Sequence, residues 1–251
     1  MTLGEPLRTV RVTRYVTPLR EGGSLPAIVE ADDDGLYVLK FRGAGQGPRA
    51  LIAELVAGEI ARALGLPVPE LVLVELDATL ARTEPDPEIQ ELIRASDGLN
   101  LALDYLPGSV TFDPVANAID ARLASAVVWF DAFTSNVDRT ARNTNLLMWH
   151  RQLWLIDHGA CLYFHHGTAP ADFATRVDDR FTRIKEHVLV RKASALREVD
   201  AELAARLTPD VIASVVDLVP DVWLPEDEAD VTRRAYADYL VARVTGTRAF
   251  V

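Results

Sequence analysis

The chain has 251 residues, of which 49% are hydrophobic and 25% are charged, with 26 Lys and Arg against 37 Asp and Glu. This composition is ordinary for a globular protein of one or two domains with enough apolar side chains for a core. The formal net charge of -11 disfavours non-specific binding to nucleic acid or anionic lipid.

Cysteine usage and hydropathy indicate a cytoplasmic protein. Cys161 is the single cysteine, so it cannot form an internal disulfide, and it has no neighbour at the spacing of metal ligands. The N-terminus has no apolar segment of signal-peptide length, and no stretch approaches the roughly 18 apolar residues of a membrane-spanning helix. We therefore expect no membrane insertion.

The first hundred residues predict strands and one long helix. Apolar residues recur with helical spacing over residues 48–64, where Pro48 suits the first turn and Gly65 the end. A polar excursion with a short helix is expected at 81–96, and the Asp-Asp-Asp-Gly run at 32–35 predicts a hairpin turn. Strands are predicted at 9–16, 27–30, 36–41, 71–76 and 99–105.

Helical patterns dominate the rest of the chain. Two short strands are predicted at 146–148 and 153–156, and helices at about 118–135, 194–219 and 226–244. The change in pattern predicts an α+β, bilobal fold. Its small antiparallel-sheet lobe is expected at residues 1–106 and its mostly helical lobe at residues 107–251.

The segment from Asn136 to Asn143, Asn-Val-Asp-Arg-Thr-Ala-Arg-Asn, is the most informative part of the sequence. The short hairpin after it leads to the tetrapeptide Ile-Asp-His-Gly, which brings Asp157 close to Asp138. Phosphoryl transfer needs a carboxylate to accept the proton of the nucleophile, and oxygen ligands for magnesium. We predict Asp138 as catalytic base, and Asn143 and Asp157 as ligands of Mg²⁺.

These two loops also have simpler interpretations. Either loop alone is compatible with a turn whose side chains bond their own backbone. Gly159 is expected to let the backbone turn sharply behind Asp157. The order of both loops across one short hairpin favours the catalytic interpretation.

A phosphate-binding cation is expected from the first part of the chain. Lys40 ends a predicted strand, so its stem can lie along the sheet while its ammonium reaches a cleft. The long helix begins about eight residues later and carries Glu54, which we predict as the partner of Lys40. Glu59 on the same helix is the competing partner, and the sequence pattern does not decide between them.

Two weaker features complete the candidate residues. Gly22, Gly23 and Ser24 precede a predicted strand and are compatible with a backbone nest over phosphates or with a plain flexible turn. The sequence also contains a local basic group of four residues, Arg183, Lys185, Arg191 and Lys192. We interpret this group as a solvated helix face. His165 and His166 are adjacent, and no third ligand is spaced nearby, so we interpret them as structural.

Several motifs together resemble the HipA-like kinases. They are Val-Leu-Lys40, Ala-Glu54 on the helix, Leu-Gly-Leu-Pro-Val-Pro at 64–69, the loop at 136–145 and the Ile-Asp-His-Gly run around Asp157. The two acidic loops also resemble those of phosphatidylinositol kinases. The resemblance spans about residues 22–159 and implies an atypical, bilobal kinase fold that uses ATP and Mg²⁺.

The resemblance also implies roles for residues. It places Lys40 on the nucleotide phosphates, Glu54 on Lys40, Asp138 as base, and Asn143 and Asp157 on the metal. Adenine is expected against a connector between the lobes, formed by Asp104, Tyr105 and Leu106.

The sequence departs from the HipA pattern in two respects. Thr140 stands two positions after Asp138, where HipA-type loops usually carry His, and Arg139 or Arg142 are candidates to replace its contacts. The chain is also shorter than a full HipA toxin, so toxin activity and a tRNA-synthetase substrate are not expected.

The sequence therefore predicts an ATP- and Mg²⁺-dependent phosphotransferase acting on a protein Ser/Thr or a small hydroxyl acceptor. A kinase-shaped nucleotide-binding module without catalysis, and an AMP transferase on the same fold, are the alternatives. No nucleic-acid partner is expected, and the sequence does not identify the acceptor.

Overall fold

Five strands in the first part of the chain close into a barrel. The computed structural model describes residues 6–19 and 25–251. Neighbouring strands follow the order β1-β2-β3-β5-β4, and β4 pairs with β1 to complete the ring. The strands are β1 (Thr9–Pro18), β2 (Ala27–Ala31), β3 (Leu36–Lys40), β4 (Leu71–Leu76) and β5 (Gly98–Asp104).

The barrel differs from the small antiparallel sheet that the sequence predicts. Four of the five pairings are antiparallel, but β1 runs parallel to β4. The register of β1 shifts between Val12 and Arg14 and again between Tyr15 and Thr17. Such irregularities bend a strand, which lets β1 pair with β2 at one end and with β4 at the other.

Helix α1 (Pro48–Ala63) is enclosed by the rest of the molecule. Every residue from 51 to 61 is buried, although a surface helix would bury only one face. Gly58 permits close packing on β4, since a Cβ at this position would lie 3.1 Å from Leu71 Cδ1. Two side chains from the C-terminal part hold this region, as Arg206 donates to Leu64 O and Trp223 Nε1 to Leu99 O.

A second, small sheet and five further helices make up the remainder. The sheet has the order β6-β7-β8, with β6 (Val110–Thr111), β7 (Leu146–Trp149) and β8 (Gln152–Leu155). Between residues 163 and 192 the chain forms only short 3-10 turns. The helices are α2 (Pro87–Ala95), α3 (Ala121–Thr134), α4 (Leu196–Arg206), α5 (Pro209–Val216) and α6 (Ala229–Thr245).

The helix predicted at 194–219 is two helices, α4 and α5. Thr208 caps the start of α5 by accepting the amide of Val211, and Pro209 occupies its first turn. Proline has no amide to continue the hydrogen bonds of α4, so the chain turns here.

The buried apolar side chains form two clusters. The smaller one fills the barrel and includes Val29, Leu39, Val74 and Ile93 of α2. The larger one joins α1 to α3, α4, α5 and α6. Helix α1 thus lies between the barrel and the C-terminal helices. No helix within the described residues is long and apolar enough to cross a membrane.

Candidate active site

Lys40, at the end of β3, contacts an acidic residue 117 positions later in the chain. Its Nζ lies 2.7 Å from Asp157 Oδ1 and 3.7 Å from Glu54 Oε2 on α1. Burial lowers the pKa of Lys40, but the attraction of Asp157 and Glu54 outweighs burial and raises the pKa above its ordinary value. The ammonium is therefore a fixed positive charge, 11% exposed.

Glu54 is the inner partner of this cation. Its side chain is 2% exposed, and its Oε1 lies 3.4 Å from Nδ1 of the fully buried His158. Burial raises the pKa of Glu54, but Lys40 and His158 outweigh burial and lower the pKa to about 2. Glu59, the competing candidate, instead pairs with Arg62 at 2.9 Å. The geometry thus places Glu54, not Glu59, beside Lys40.

The loop that carries Asp157 is strained at Asp157 itself. The φ angle of Asp157 is 56°, in the left-handed region that non-glycine residues seldom occupy. The sharp turn that the sequence predicts at Gly159 therefore lies two residues earlier. At Gly159 an added Cβ would be 3.5 Å from Glu54 Oε2, an ordinary contact distance. A Cβ would therefore fit between this part of the loop and α1.

Two amide side chains hold Asp138 by one of its oxygens. Asn143 Nδ2 donates to Asp138 Oδ2 at 2.7 Å, and Asn145 Nδ2 donates to the same oxygen at 3.2 Å. The amide of Asp138 bonds the Asn136 side chain at 3.0 Å, which fixes the backbone of the loop. Among the described residues, Oδ1 of Asp138 has no hydrogen-bond partner. The two amide bonds therefore leave Oδ1 as the uncommitted oxygen of the carboxylate.

Backbone contacts join the Asp138 loop to the Asp157 loop. Ile156 N donates to Asn145 O at 3.1 Å. The guanidinium of Arg139 donates from Nη1 to both Asn145 O and Ile156 O. The two acidic loops therefore lie close together, as the hairpin length in the sequence predicts.

A buried ionic cluster supports these two loops from behind. Arg139 Nε donates to Asp131 Oδ2 at 2.6 Å, and both side chains are fully buried. His187 Nδ1 accepts the amide of Leu189 at 3.0 Å, so the ring proton lies on Nε2, which donates to Asp131 Oδ2 at 2.7 Å. Asn136 Nδ2 donates to the other carboxylate oxygen at 2.8 Å.

Electrostatics keep this cluster charged. Burial raises the pKa of Asp131, but Arg139 and His187 outweigh burial and lower the pKa to about 2. Because Arg139 is fully buried, it braces the loop and does not reach a transferred phosphate. Arg142, the other candidate for that role, is exposed.

Thr140 occupies the position at which HipA-type loops usually carry His, and its hydrogen bonds shape the loop. Its Oγ1 accepts the amides of Arg142 and Asn143, both at 3.3 Å. Its own amide donates to Asn143 O at 2.9 Å. These bonds close the turn that presents Asn143 to Asp138. A histidine does brace the loop, but it is His187, from a distant segment.

The family follows from comparison of the whole chain with known proteins. The model of the HipA-like kinase family matches residues 12–245. The chain belongs to the HipA-like kinase family. No curated protein is similar enough in sequence to count as a match.

Three solved structures are similar to this HipA-like kinase to different degrees. The Helicobacter pylori proinflammatory kinase CtkA has a TM-score of 0.58 and 14% identity, covering 97% of this chain and 98% of CtkA. A Golgi casein kinase with Mn/ADP bound has a TM-score of 0.49 and 11% identity, covering 97% and 74%. HipA of Shewanella oneidensis MR-1, in complex with HipB and operator DNA, has a TM-score of 0.42 and 13% identity, covering 92% and 65%. The CtkA match supports a kinase-like fold.

The structure describes only some of the predicted nucleotide-binding residues. Gly22, Gly23 and Ser24 lie outside the described residues. In the connector after β5, the Asp104 amide donates to Glu70 O and the Tyr105 amide to Leu36 O. Leu106 is buried, and in the described part of the chain its amide has no acceptor. Of the three connector amides, that of Leu106 is the one without a hydrogen-bond acceptor among the described residues.

The predicted metal ligands of the HipA-like kinase fit magnesium by donor type. In the described ranges, no three His, Cys, Asp or Glu side chains converge as a metal site. The side-chain oxygen of Asn143 has no hydrogen-bond donor within those ranges, and the Asp157 side chain is 37% exposed. One amide oxygen and one carboxylate suit Mg²⁺, which usually retains waters and takes further oxygens from substrate phosphates.

Three supporting residues were not identified from the sequence. Asn145 lies in the Asn-Thr-Asn run, and only the fold shows that its amide bonds Asp138. Asp131 lies inside an apolar helix, and a carboxylate in that position is a signal for a buried partner. His187 lies among short turns and carries no such signal.

Proposed function

We propose that this HipA-like kinase is an ATP- and Mg²⁺-dependent phosphotransferase that acts on an alcohol group. The observation that carries the proposal is the 2.7 Å ion pair between Lys40 and Asp157, with buried Glu54 behind the ammonium. Kinases need a Lys-Glu pair at the phosphates and an Asp for the metal. The alcohol belongs to a protein Ser or Thr, or to a small molecule.

Each side chain has a specific task in this proposal. Lys40 binds the nucleotide phosphates, and Glu54 holds the ammonium in place. Asn143 and Asp157 hold Mg²⁺, which neutralises charge on the phosphates. Since Lys40 and Asp157 contact each other directly, the arriving phosphates would separate them, leaving Asp157 free for the metal.

Asp138 is the base of the proposed reaction. Its Oδ2 is occupied by Asn143 and Asn145, so the carboxylate cannot rotate freely. Its Oδ1 is then aimed at a single position, where it accepts the proton of the acceptor hydroxyl. Positioning of this kind is the main contribution of a protein to phosphoryl transfer.

The nucleotide lies between the two parts of the chain in this proposal. Residues 1–106 form the nucleotide lobe and residues 107–251 the catalytic lobe. Asp104, Tyr105 and Leu106 contact adenine. The free amide of Leu106 supports this orientation.

The test compares wild type with Asp138→Asn and, as a matched control, Asp238→Asn at an exposed position of α6. ADP release with Mg²⁺ should fall by roughly 10²- to 10⁴-fold in Asp138→Asn and stay unchanged in the control. Full activity of Asp138→Asn would refute the assigned base. Intact-mass measurement after incubation with ATP separates phosphoryl from adenylyl transfer, and ATP binding without turnover would indicate a catalytically silent module.

A further inference from the structure

Positive charges are concentrated beside the catalytic loop of an acidic protein. The whole chain has 26 Lys and Arg against 37 Asp and Glu. Residues 160–197, which follow the Asp157 loop, reverse this ratio with seven Lys and Arg against four Asp and Glu. The charge of this segment is therefore opposite in sign to that of the protein as a whole.

Backbone hydrogen bonds attach this segment to the catalytic loop. Thr140 and His187 form an antiparallel bridge, and Val188 N donates to Arg139 O at 3.1 Å. The 3-10 turn Thr182–Glu186 ends directly before His187. The turn therefore lies next to the loop that carries Asp138, and it brings two cations with it.

Three exposed cations form what we call the cationic patch: Arg142 of the catalytic loop, and Arg183 and Lys185 of the adjoining turn. Within the described ranges, the charged ends of Arg142 and Lys185 contact no acidic group and no hydrogen-bond acceptor. Arg183 lies 3.7 Å from Glu186, and both of these side chains are more than half exposed. Such a pair contributes little and exchanges readily with another anion.

We propose that the cationic patch binds acidic residues on either side of the acceptor Ser or Thr in a protein substrate. The inference rests on the proposed phosphotransferase function, because it places the substrate hydroxyl at Asp138. Arg142 is four residues from Asp138, so an acidic side chain bound there belongs to the immediate neighbourhood of the acceptor. The patch thereby selects an acidic segment of protein as the substrate class.

Charge also argues for a protein segment over a nucleic acid. A nucleic acid carries closely spaced phosphates over its whole length, and a protein with net charge -11 repels it outside the patch. A short acidic peptide needs only the few cations of the patch. Attraction confined to three side chains favours a local acidic motif.

Binding is tested with two labelled peptides of equal length, each with one central Ser that is flanked by Glu in one peptide and by Gln in the other. Fluorescence anisotropy should show roughly tenfold tighter binding of the Glu peptide, since each exposed ion pair contributes about a two- to fivefold change. The preference should largely disappear between about 0.1 M and 1 M salt.

The variant Arg183→Glu/Lys185→Glu leaves the proposed catalytic residues unchanged. It should lose the preference for the Glu peptide but keep the ADP release measured without peptide. The control Arg82→Glu/Arg234→Glu makes the same charge change at two exposed positions elsewhere and should keep the preference.

Equal binding of the two peptides, or an unchanged preference in the patch variant, would overturn the proposal. Tighter binding of a single-stranded oligonucleotide of equal charge would overturn it in favour of nucleic acid. Phosphate transfer from ATP to the central Ser is measured separately. If the Glu peptide binds preferentially but no ATP is turned over, the docking surface holds and the proposed catalytic function fails.

Discussion

The buried pair Arg139–Asp131 offers the sharpest test of how the catalytic loop is held. Replacing Arg139 with Met keeps much of the side-chain volume but removes the cation. Asp131 would then remain buried with only His187 and Asn136 as partners. Asn145 O and Ile156 O would both lose the guanidinium as a donor, although Asn145 O would keep the amide of Ile156.

The expected loss of stability follows from these contacts. The pKa of Asp131 is lowered from 3.8 to about 2, which corresponds to roughly 2 to 3 kcal/mol in favour of the charged form. Each lost hydrogen bond to a carbonyl adds about 1 kcal/mol. We expect Arg139→Met to lower the free energy of unfolding by about 3 to 5 kcal/mol. The melting temperature should fall by roughly 6 to 20 °C.

The measurement is urea unfolding followed by circular dichroism. As a control, Arg122→Met removes an exposed pair with Glu202 and should change the free energy of unfolding by less than about 1 kcal/mol. The double variant Asp131→Asn/Arg139→Met removes the stranded charge and should be less damaged than the sum of its single variants. The reasoning would be refuted if the losses of stability in the two single variants simply added in the double variant. It would also be refuted if Arg139→Met were as stable as the control.

Three further predictions concern the site. Lys40→Met should abolish ADP release while leaving the far-ultraviolet circular dichroism native, and retained activity would exclude Lys40 as the phosphate cation. Thr140→Ala should reduce kcat several-fold, and Thr140→Ser should restore it, because the role of Thr140 depends only on the bonds of its Oγ1 to two amides. An unimpaired Ala variant would contradict this role. Because the pKa of Asp131 is lower in the fold than in the unfolded chain, its contribution to stability is complete above about pH 4 and should be lost as the pH falls towards 2. When Asp131→Asn is titrated with acid, its stability should lack this pH-dependent contribution. A pH profile identical to that of the wild type would argue against the contribution of Asp131.

The local elements could be read from the sequence, whereas closure of the barrel could not. Helix α1 was expected over 48–64 and spans Pro48–Ala63, because its apolar spacing and Pro48 are local signals. The strand expected at 71–76 is β4. The parallel pairing of β1 with β4 joins residues about 64 positions apart, and strand patterns alone do not choose between an open sheet and a barrel. The break at Thr208 and Pro209 was readable, since a capping residue followed by proline marks a helix start.

The candidate site shows the same division between local and distant contacts. The five candidate residues lie in short motifs whose residue types indicate phosphoryl transfer. The structure places Lys40 beside Glu54 and Asp157, and Asn143 beside Asp138, and backbone contacts join the two loops. Their roles remain predictions.

The support of the site could not be read in this way. The bracing of the loop comes from a helix carboxylate and from a histidine 47 positions after Thr140. A side chain that acts only by contacting another distant residue has no periodicity or spacing to reveal it.

The enclosure of α1 has a consequence for how the enzyme can be controlled. In many kinases activity is set by moving the helix whose Glu pairs with the phosphate Lys. Here that helix would have to withdraw eleven consecutive buried residues from the larger apolar cluster and break the contacts that Arg206 and Trp223 make around it. Glu54 is thus held beside Lys40 by the core of the protein, so control by withdrawal of α1 would require this core to open.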